Sequence, residues 1–189
     1  MTRTRPHHSV EEYLFLEATQ DVKHEYLHGE MFAMAGGSPN HDAISLNISV
    51  IFHAAVRHSQ CRAFTSNMRI RTPSGLYTYP DASIVCGEPD VLHVQGTETI
   101  GNPVALVEVL SKSTGDYDRT AKFDLYRSIP TLRDYILIEQ SRIGIEHRYV
   151  VPGGGWTVQN FETPDQRVCL TGVDVELPVD LVYERVKFT

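Results

Sequence analysis

The chain has 189 residues, of which 41% are hydrophobic, and its formal net charge is −7. The length suffices for one domain with a sizeable core, and because no stretch resembles a linker, we expect a single domain over residues 1–189. The negative charge argues against binding of nucleic acid by bulk electrostatics alone, but it does not exclude an enzyme whose carboxylates hold catalytic cations. The start lacks the apolar run of a secretory signal or a membrane helix, so we expect a cytoplasmic protein without membrane contact.

The N-terminal half predicts two helices and several short strands. Ser9 with Glu12 three residues later is typical of a helix N-terminus, and Asn40 can cap a second, longer helix. In chain order we predict a helix over 9–19, a turn and then a strand over 31–35, a helix over 40–59, and two or three antiparallel strands within 61–71 and 77–86.

The C-terminal half predicts a central strand from Val104 to Leu110, because this segment is apolar on both faces except for Glu108. The preceding segment, 87–103, is a long connection that could lie over a site. We then predict a helix over 116–129, a strand over 135–139, a hairpin of 143–151 with 156–161, and a short strand and a helical turn within 173–189. The three cysteines, odd in number, far apart and among apolar neighbours, favour reduced core thiols over disulfides: Cys61, Cys86 and Cys169.

Two carboxylates interrupt otherwise apolar strands. Asp81 follows Tyr79-Pro80, and Glu108 stands inside the predicted central strand. An ionised carboxylate among apolar residues requires a cation or hydrogen-bond donors. Two carboxylates without nearby Cys or paired His suit Mg²⁺ or Mn²⁺ rather than zinc. The alternative is that each carboxylate pairs with a core arginine or caps a turn.

The motif around these carboxylates resembles that of a known family. It comprises Pro80-Asp81 and Glu108-Val109-Leu110-Ser111 with Thr114, Asp118, Lys122 and Tyr126, and it extends to the segment 24–30 and to His41. The combination is similar to the Uma2 type of restriction endonuclease, a branch of the PD-(D/E)XK nuclease superfamily. Together with the predicted elements, the resemblance implies an α/β, restriction-endonuclease-like fold. Its mixed central sheet would be flanked by helices and carry an added C-terminal antiparallel hairpin.

The resemblance implies roles for particular residues. Asp81 and Glu108 would bind the metal, and Val109 would add its backbone carbonyl. The superfamily's usual lysine lies two residues after the glutamate, where this chain has Leu110. Lys122 or Lys112 could replace it.

Lys122 is the better of these two candidates, because it shares a helix face with Asp118 four residues earlier. The alternative for Lys122 is a surface ion pair with that aspartate.

Three further residues are secondary candidates. Glu25 could be a third metal ligand, or a turn-stabilising acid beside Lys23. His41 could bind phosphate or relay a proton, or it could cap or pack the helix that it begins. Ser111 lacks the surroundings of a catalytic serine and is expected to hydrogen-bond within the loop at the site.

We therefore expect a Mg²⁺-dependent endonuclease, with Mn²⁺ as a possible replacement, that hydrolyses DNA phosphodiester bonds. Two alternatives remain at this point: an inactive nuclease-fold module that binds nucleic acid or protein, and a small-molecule phosphoester hydrolase on the same metal site. A homodimer would suit double-strand cleavage, because a two-fold enzyme presents two sites to two strands.

Overall fold

The computed structural model describes residues 7–94 and 97–188. Its helices are α1 Val10–Thr19, α2 Pro39–Val56, α3 Gly115–Arg119, α4 Ala121–Tyr126 and α5 Val179–Val182. Its strands are β1 His24–Leu27, β2 Glu30–Ala33, β3 Cys61–Thr65, β4 Arg69–Arg71, β5 Leu76–Thr78, β6 Ala82–Cys86, β7 Val91–Val94, β8 Thr97–Ile100, β9 Ala105–Leu110, β10 Asp134–Glu139, β11 Ile145–Val150, β12 Trp156–Phe161, β13 Arg167–Cys169 and β14 Glu176–Pro178. None of the helices in these ranges is long and apolar enough to cross a membrane. Residues 1–6, part of the start that was examined for a signal, lie outside the described residues.

A mixed six-stranded sheet in the order β12-β11-β10-β9-β6-β3 forms the centre of the protein. Strands β9 and β10 are parallel, and the other neighbouring strands are antiparallel. All six residues of β9 are buried, which confirms the predicted central strand. Helix α2 covers one face through Ile44, Ile48 and Phe52, and the opposite face packs against Tyr126 and Ile129. The predicted fold class is therefore confirmed.

A second six-stranded sheet, in the order β2-β1-β5-β4-β8-β7, lies beside the central one and was not predicted. The segment 24–27, expected to lead into a turn, is β1. The segment 87–103 contributes β7 and β8 to this sheet. Short, partly exposed strands of four residues carry too little alternation to be recognised from sequence.

The helices follow the predicted positions, with two differences. The capping box of Ser9 and Glu12 on α1 is present. Helix α2 is capped by Ser38, whose hydroxyl accepts the His41 amide at 3.1 Å, and not by Asn40. The predicted helix over 116–129 is interrupted at Thr120, which separates α3 from α4.

The C-terminal part completes the central sheet. Strands β11 and β12 form the predicted hairpin beside β10. The fully buried Asp134 accepts the backbone amides of Thr171 at 2.8 Å and Gly172 at 2.7 Å, and it contacts His147 Nε2 at 2.8 Å. These bonds tie the segment before β14 to β10.

The prediction of reduced core cysteines was wrong for Cys61 and Cys86, which are not reduced, and for Cys169, which is not in the core. Cys61 and Cys86 face each other across β3 and β6 and form a disulfide that closes a separation of 25 residues. The pairing depends on strand register, which the distance between the two cysteines along the chain does not reveal. Cys169 is free, but it is exposed rather than buried.

Candidate active site

Strand register brings Asp81 next to Glu108. Strands β6 and β9 are antiparallel with Ala82 opposite Val107, so the residue before β6 continues the same register opposite Glu108. The backbone amide of Val109 donates to Asp81 Oδ2 at 2.7 Å. The two carboxylates that the sequence placed on separate strands therefore lie side by side at the end of β6.

Lys122 lies among three carboxylates. Its Nζ is 2.9 Å from Glu108 Oε1, 2.7 Å from Glu25 Oε1 and 3.4 Å from Asp118 Oδ1. The lysine side chain is only 6% exposed, so this is a buried ion cluster and not the surface pair that was the alternative interpretation. The predicted approach of Lys122 and Asp118 on one helical face is present even though Thr120 interrupts the helix.

Glu108 is fixed by two contacts. The hydroxyl of the buried Tyr126 donates to its Oε1 at 2.7 Å, the same oxygen that contacts Lys122. Burial raises the pKa of the Glu108 carboxyl from 4.5 to about 8. The carboxylates of Asp118 and Asp81 add to this rise, whereas the Lys122 ammonium and the Tyr126 hydrogen bond oppose it.

The cluster holds more acids than cations. Burial alone lowers the pKa of Lys122, but the surrounding carboxylates, above all Glu108, raise it well above 10.5. Burial also raises the pKa of Asp118, against the effect of the Lys122 ammonium. One ammonium faces three carboxylates, so the metal-free cluster favours the protonated form of Glu108 more strongly than an exposed glutamate would.

Glu25 reaches the cluster from the second sheet. It stands on β1, and the hydroxyl of Thr78 on β5 donates to its Oε1 at 2.5 Å. The expected alternative, a turn acid beside Lys23, does not describe its contacts, because the Lys23 ammonium donates to Ser66 O and Asn67 Oδ1. The ammonium of Lys122 therefore joins residues of both six-stranded sheets.

His41 lies in the first turn of α2 and contacts the other carboxylate. Its Nε2 is 3.3 Å from Asp81 Oδ2, and the hydroxyl of Ser45, one turn later, is 3.4 Å from Asp81 Oδ1. The hydrogen bond with Asp81 raises the pKa of His41 above 6.5, although burial alone would lower it.

The remaining candidates lie around this centre. The Ser111 hydroxyl bonds with those of Ser113 and Thr114, which matches the expected loop hydrogen bonds. Lys112 is exposed, and within the described residues it is Lys122 that contacts Glu108. Leu110 is 3% exposed and packs in the core, so a lysine at this position would be buried.

The centre opens onto a groove of about 1880 Å³. Residues 32–42 border it on one side and 108–119 on the other, with Asp81, Lys122 and 139–141 also in its wall. The segment 87–103, expected to lie over the site, contributes none of the described residues that line this groove, because it forms the far edge of the second sheet.

Sequence reasoning missed several residues that shape the site. Tyr126 was noted only as part of the motif, but its spacing of four from Lys122 would have placed both on one helical face. Gln140 follows β10 and donates from Nε2 to the Leu110 carbonyl at 2.7 Å. Thr78 and Ser45 carry no sequence signal of their own, because their roles depend on the packing of separate elements.

The adjacent acids could hold a divalent metal that needs few protein ligands. In the described ranges, no three His, Cys, Asp or Glu side chains are gathered closely enough to form a ready-made metal site. Mg²⁺, however, commonly uses one or two protein carboxylates and completes its shell with water and phosphate oxygens. The adjacent carboxylates of Asp81 and Glu108 fit this requirement.

The fold is shared with a solved structure. A crystal structure described as a "putative nuclease belonging to DUF820 from Anabaena variabilis ATCC 29413" matches with a TM-score of 0.73 and covers 93% of this chain and 97% of that chain. The sequence identity is 18%, so this likeness shows the fold alone. The protein thus shares its mixed α/β architecture with that structure.

The chain belongs to the Uma2 family, described as "Putative restriction endonuclease", whose profile matches residues 10–180. Two uncharacterised proteins of Synechocystis sp. (strain ATCC 27184 / PCC 6803 / Kazusa) are similar to it. One is 36% identical over 184 residues, which are 97% of this chain and 95% of the relative. The other is 34% identical over 146 residues, which are 77% of this chain and 82% of the relative.

Proposed function

We propose that this protein is a metal-dependent endonuclease that hydrolyses phosphodiester bonds of DNA. The observation that carries the proposal is the contact of Lys122 Nζ with Glu108 Oε1 at 2.9 Å, where Glu108 on β9 lies beside Asp81, the residue before β6. The position that the superfamily's lysine would occupy holds Leu110, and α4 supplies an ammonium to the same carboxylate. Membership in the Uma2 family supports the assignment.

Asp81 and Glu108 would hold Mg²⁺ or Mn²⁺ together with the Val109 carbonyl. Both contacts that Glu108 makes within the described residues, with Lys122 and Tyr126, go to Oε1. Val109 directs its amide toward Asp81, and the N–H and C=O of one strand residue point to the same neighbouring strand. Its carbonyl therefore faces the side on which Asp81 lies. Glu25 remains a proposed third carboxylate.

The residues of this chain then have separate roles. When bound, the metal would activate water and offset the charge of the scissile phosphate. Lys122 offsets the further negative charge that develops on the phosphate oxygens in the transition state. Glu25 and Asp118 hold its ammonium in place, and Tyr126 fixes the orientation of Glu108.

Cleavage of supercoiled plasmid and of single-stranded DNA with Mg²⁺ or Mn²⁺ tests the proposal. We expect Asp81→Asn, Glu108→Gln and Lys122→Met each to lower the rate at least 100-fold. Lys112→Met and Asp124→Asn are matched controls, since Lys112 is the other lysine near Glu108 and Asp124 is an exposed acid on α4. Both should cleave like the wild type.

Equal cleavage by the wild type and the three site variants would contradict the proposal. Tight nucleic-acid binding without cleavage under any metal condition would instead support the inactive binding module. The observation against that alternative is Lys122, which supplies the positive charge whose absence at position 110 motivated it.

A further inference from the structure

His41 contacts Asp81 in a way that neither helix capping nor phosphate binding explains. The capping interaction of this turn uses the His41 backbone amide and the Ser38 hydroxyl. The side chain is directed elsewhere, with Nε2 at 3.3 Å from Asp81 Oδ2. The ring nitrogen Nε2 therefore faces the Asp81 carboxylate.

The glycine before α2 makes room for this side chain. A methyl group built on Gly37 would lie 2.8 Å from His41 Nδ1 and 3.0 Å from its Cγ, closer than packed carbon atoms approach. Gly36, one residue earlier, has nothing within 4 Å of the same position. Gly37 thus lies against the Nδ1 side of the imidazole ring, and Nε2 on the other side contacts Asp81.

The Asp81 carboxylate consequently has one anchored oxygen. Oδ2 receives the Val109 amide at 2.7 Å and the His41 ring, whereas Oδ1 has the longer contact of 3.4 Å with Ser45. These neighbouring groups set the orientation of the Asp81 side chain. Groups that orient a metal-binding carboxylate in this way typically change metal affinity 10–100-fold when removed.

We infer that His41 is a positioning residue that fixes Asp81 through Oδ2 and presents Oδ1 to the metal, and that Gly37 is required because it leaves space for the His41 ring. This inference rests on the proposed metal site. The inference also gives the loop before α2 a role in the site. This loop borders the groove and acts here through a glycine, not through a charged or metal-binding side chain.

Calorimetric titration of the metal-free full-length protein with Mn²⁺ tests the inference without any cleavage assay. We expect His41→Ala and Gly37→Ala each to weaken Mn²⁺ binding 10–100-fold, and His41→Gln, whose amide can still donate, to restore most of it. Gly36→Ala and His53→Ala are matched controls, the latter an exposed histidine of α2, and both should bind as the wild type does. In cleavage, the two weakened variants should need more Mn²⁺ for half-maximal rate and regain most of the rate at saturation.

The outcomes separate the inference from the proposed function. Mn²⁺ binding by the wild type that is unchanged in His41→Ala and Gly37→Ala would overturn the inference and leave the proposed function intact. A wild-type protein that neither binds Mn²⁺ nor cleaves DNA would overturn both. Melting temperatures are measured alongside, and loss of binding only in variants that unfold at the assay temperature would also overturn the positioning role.

Discussion

Glu108→Gln should change how the stability of the metal-free protein depends on pH. Burial raises the pKa of this carboxyl from 4.5 to about 8, so between these values the folded protein holds a proton that the unfolded chain has released. The unfolding free energy then falls as pH rises, because stability decreases wherever the folded state binds more protons. The stabilising contribution is complete below pH 4.5 and is lost as pH passes through about 8. A glutamine, which resembles the protonated acid in shape, does not titrate.

The size of the change in unfolding free energy follows from the pH range between the two pKa values of Glu108. One bound proton of difference changes the unfolding free energy by about 1.4 kcal/mol per pH unit. Over the window from 4.5 to about 8 this amounts to at most about 5 kcal/mol for wild-type Glu108. The pKa of about 8 already includes the opposing effect of the Lys122 ammonium. We expect Glu108→Gln to equal the wild type in stability near pH 5 and to exceed it by several kcal/mol near pH 8.5.

Urea denaturation in EDTA at intervals from pH 5 to 8.5 measures this difference. EDTA matters, because a metal bound to Glu108 would stabilise the ionised form. Asp124→Asn, an exposed acid-to-amide change on α4, should follow the wild-type pH dependence. Parallel curves for the wild type and Glu108→Gln would refute the reasoning, since they would show that Glu108 carries the same charge in both states.

Three further perturbations have defined outcomes. Lys122→Met leaves its buried carboxylates without a cation, so we expect the unfolding free energy in EDTA to fall by about 3–5 kcal/mol at pH 8, measured by urea denaturation; an unchanged midpoint would show that the cluster does not need the ammonium. Asp134→Asn replaces one of the two carboxylate oxygens that accept the amides of Thr171 and Gly172, between β13 and β14. The free energy of unfolding should fall by about 1–3 kcal/mol by the same method, and no fall would mean that solvent replaces those bonds. Reduction of the Cys61–Cys86 disulfide should remove about 3 kcal/mol through the closed loop, so melting in reductant should match that of Cys61→Ser, and a reductant effect that persists in this variant would contradict the pairing.

The elements of the fold that were predicted well come from long segments with helical periodicity or from segments that are almost entirely apolar. Strand β9 is recognisable because all its positions but Glu108 are apolar, and helix α2 because its buried positions recur at helical spacing. The second sheet was missed because strands such as β1 and β7 are four residues long and only partly buried. Their pairing is a property of the folded chain and not of any local pattern.

Only some of the site residues could be predicted from the sequence. The sequence placed Asp81 and Glu108 in apolar strand segments, and the resemblance to the family joined them in one site. The approach of Lys122 to Asp118 was predicted from helix spacing. Glu25 as a partner of Lys122 could not be derived that way, because it stands on a different sheet and only tertiary packing unites them. The disulfide depends on the register of β3 and β6, and the contact of His41 with Asp81 depends on how α2 packs against the central sheet.

The contacts of Lys122 link the site to the folding of the whole domain. Its ammonium contacts Glu25 on the second sheet and Glu108 on the central sheet, so the complete cluster exists only after the two sheets have docked. In a nascent or partly unfolded chain in which either sheet is not formed, Glu25, Glu108 and Lys122 are present but are not in contact. The proposed cleavage activity should therefore arise late in folding and disappear early in denaturation.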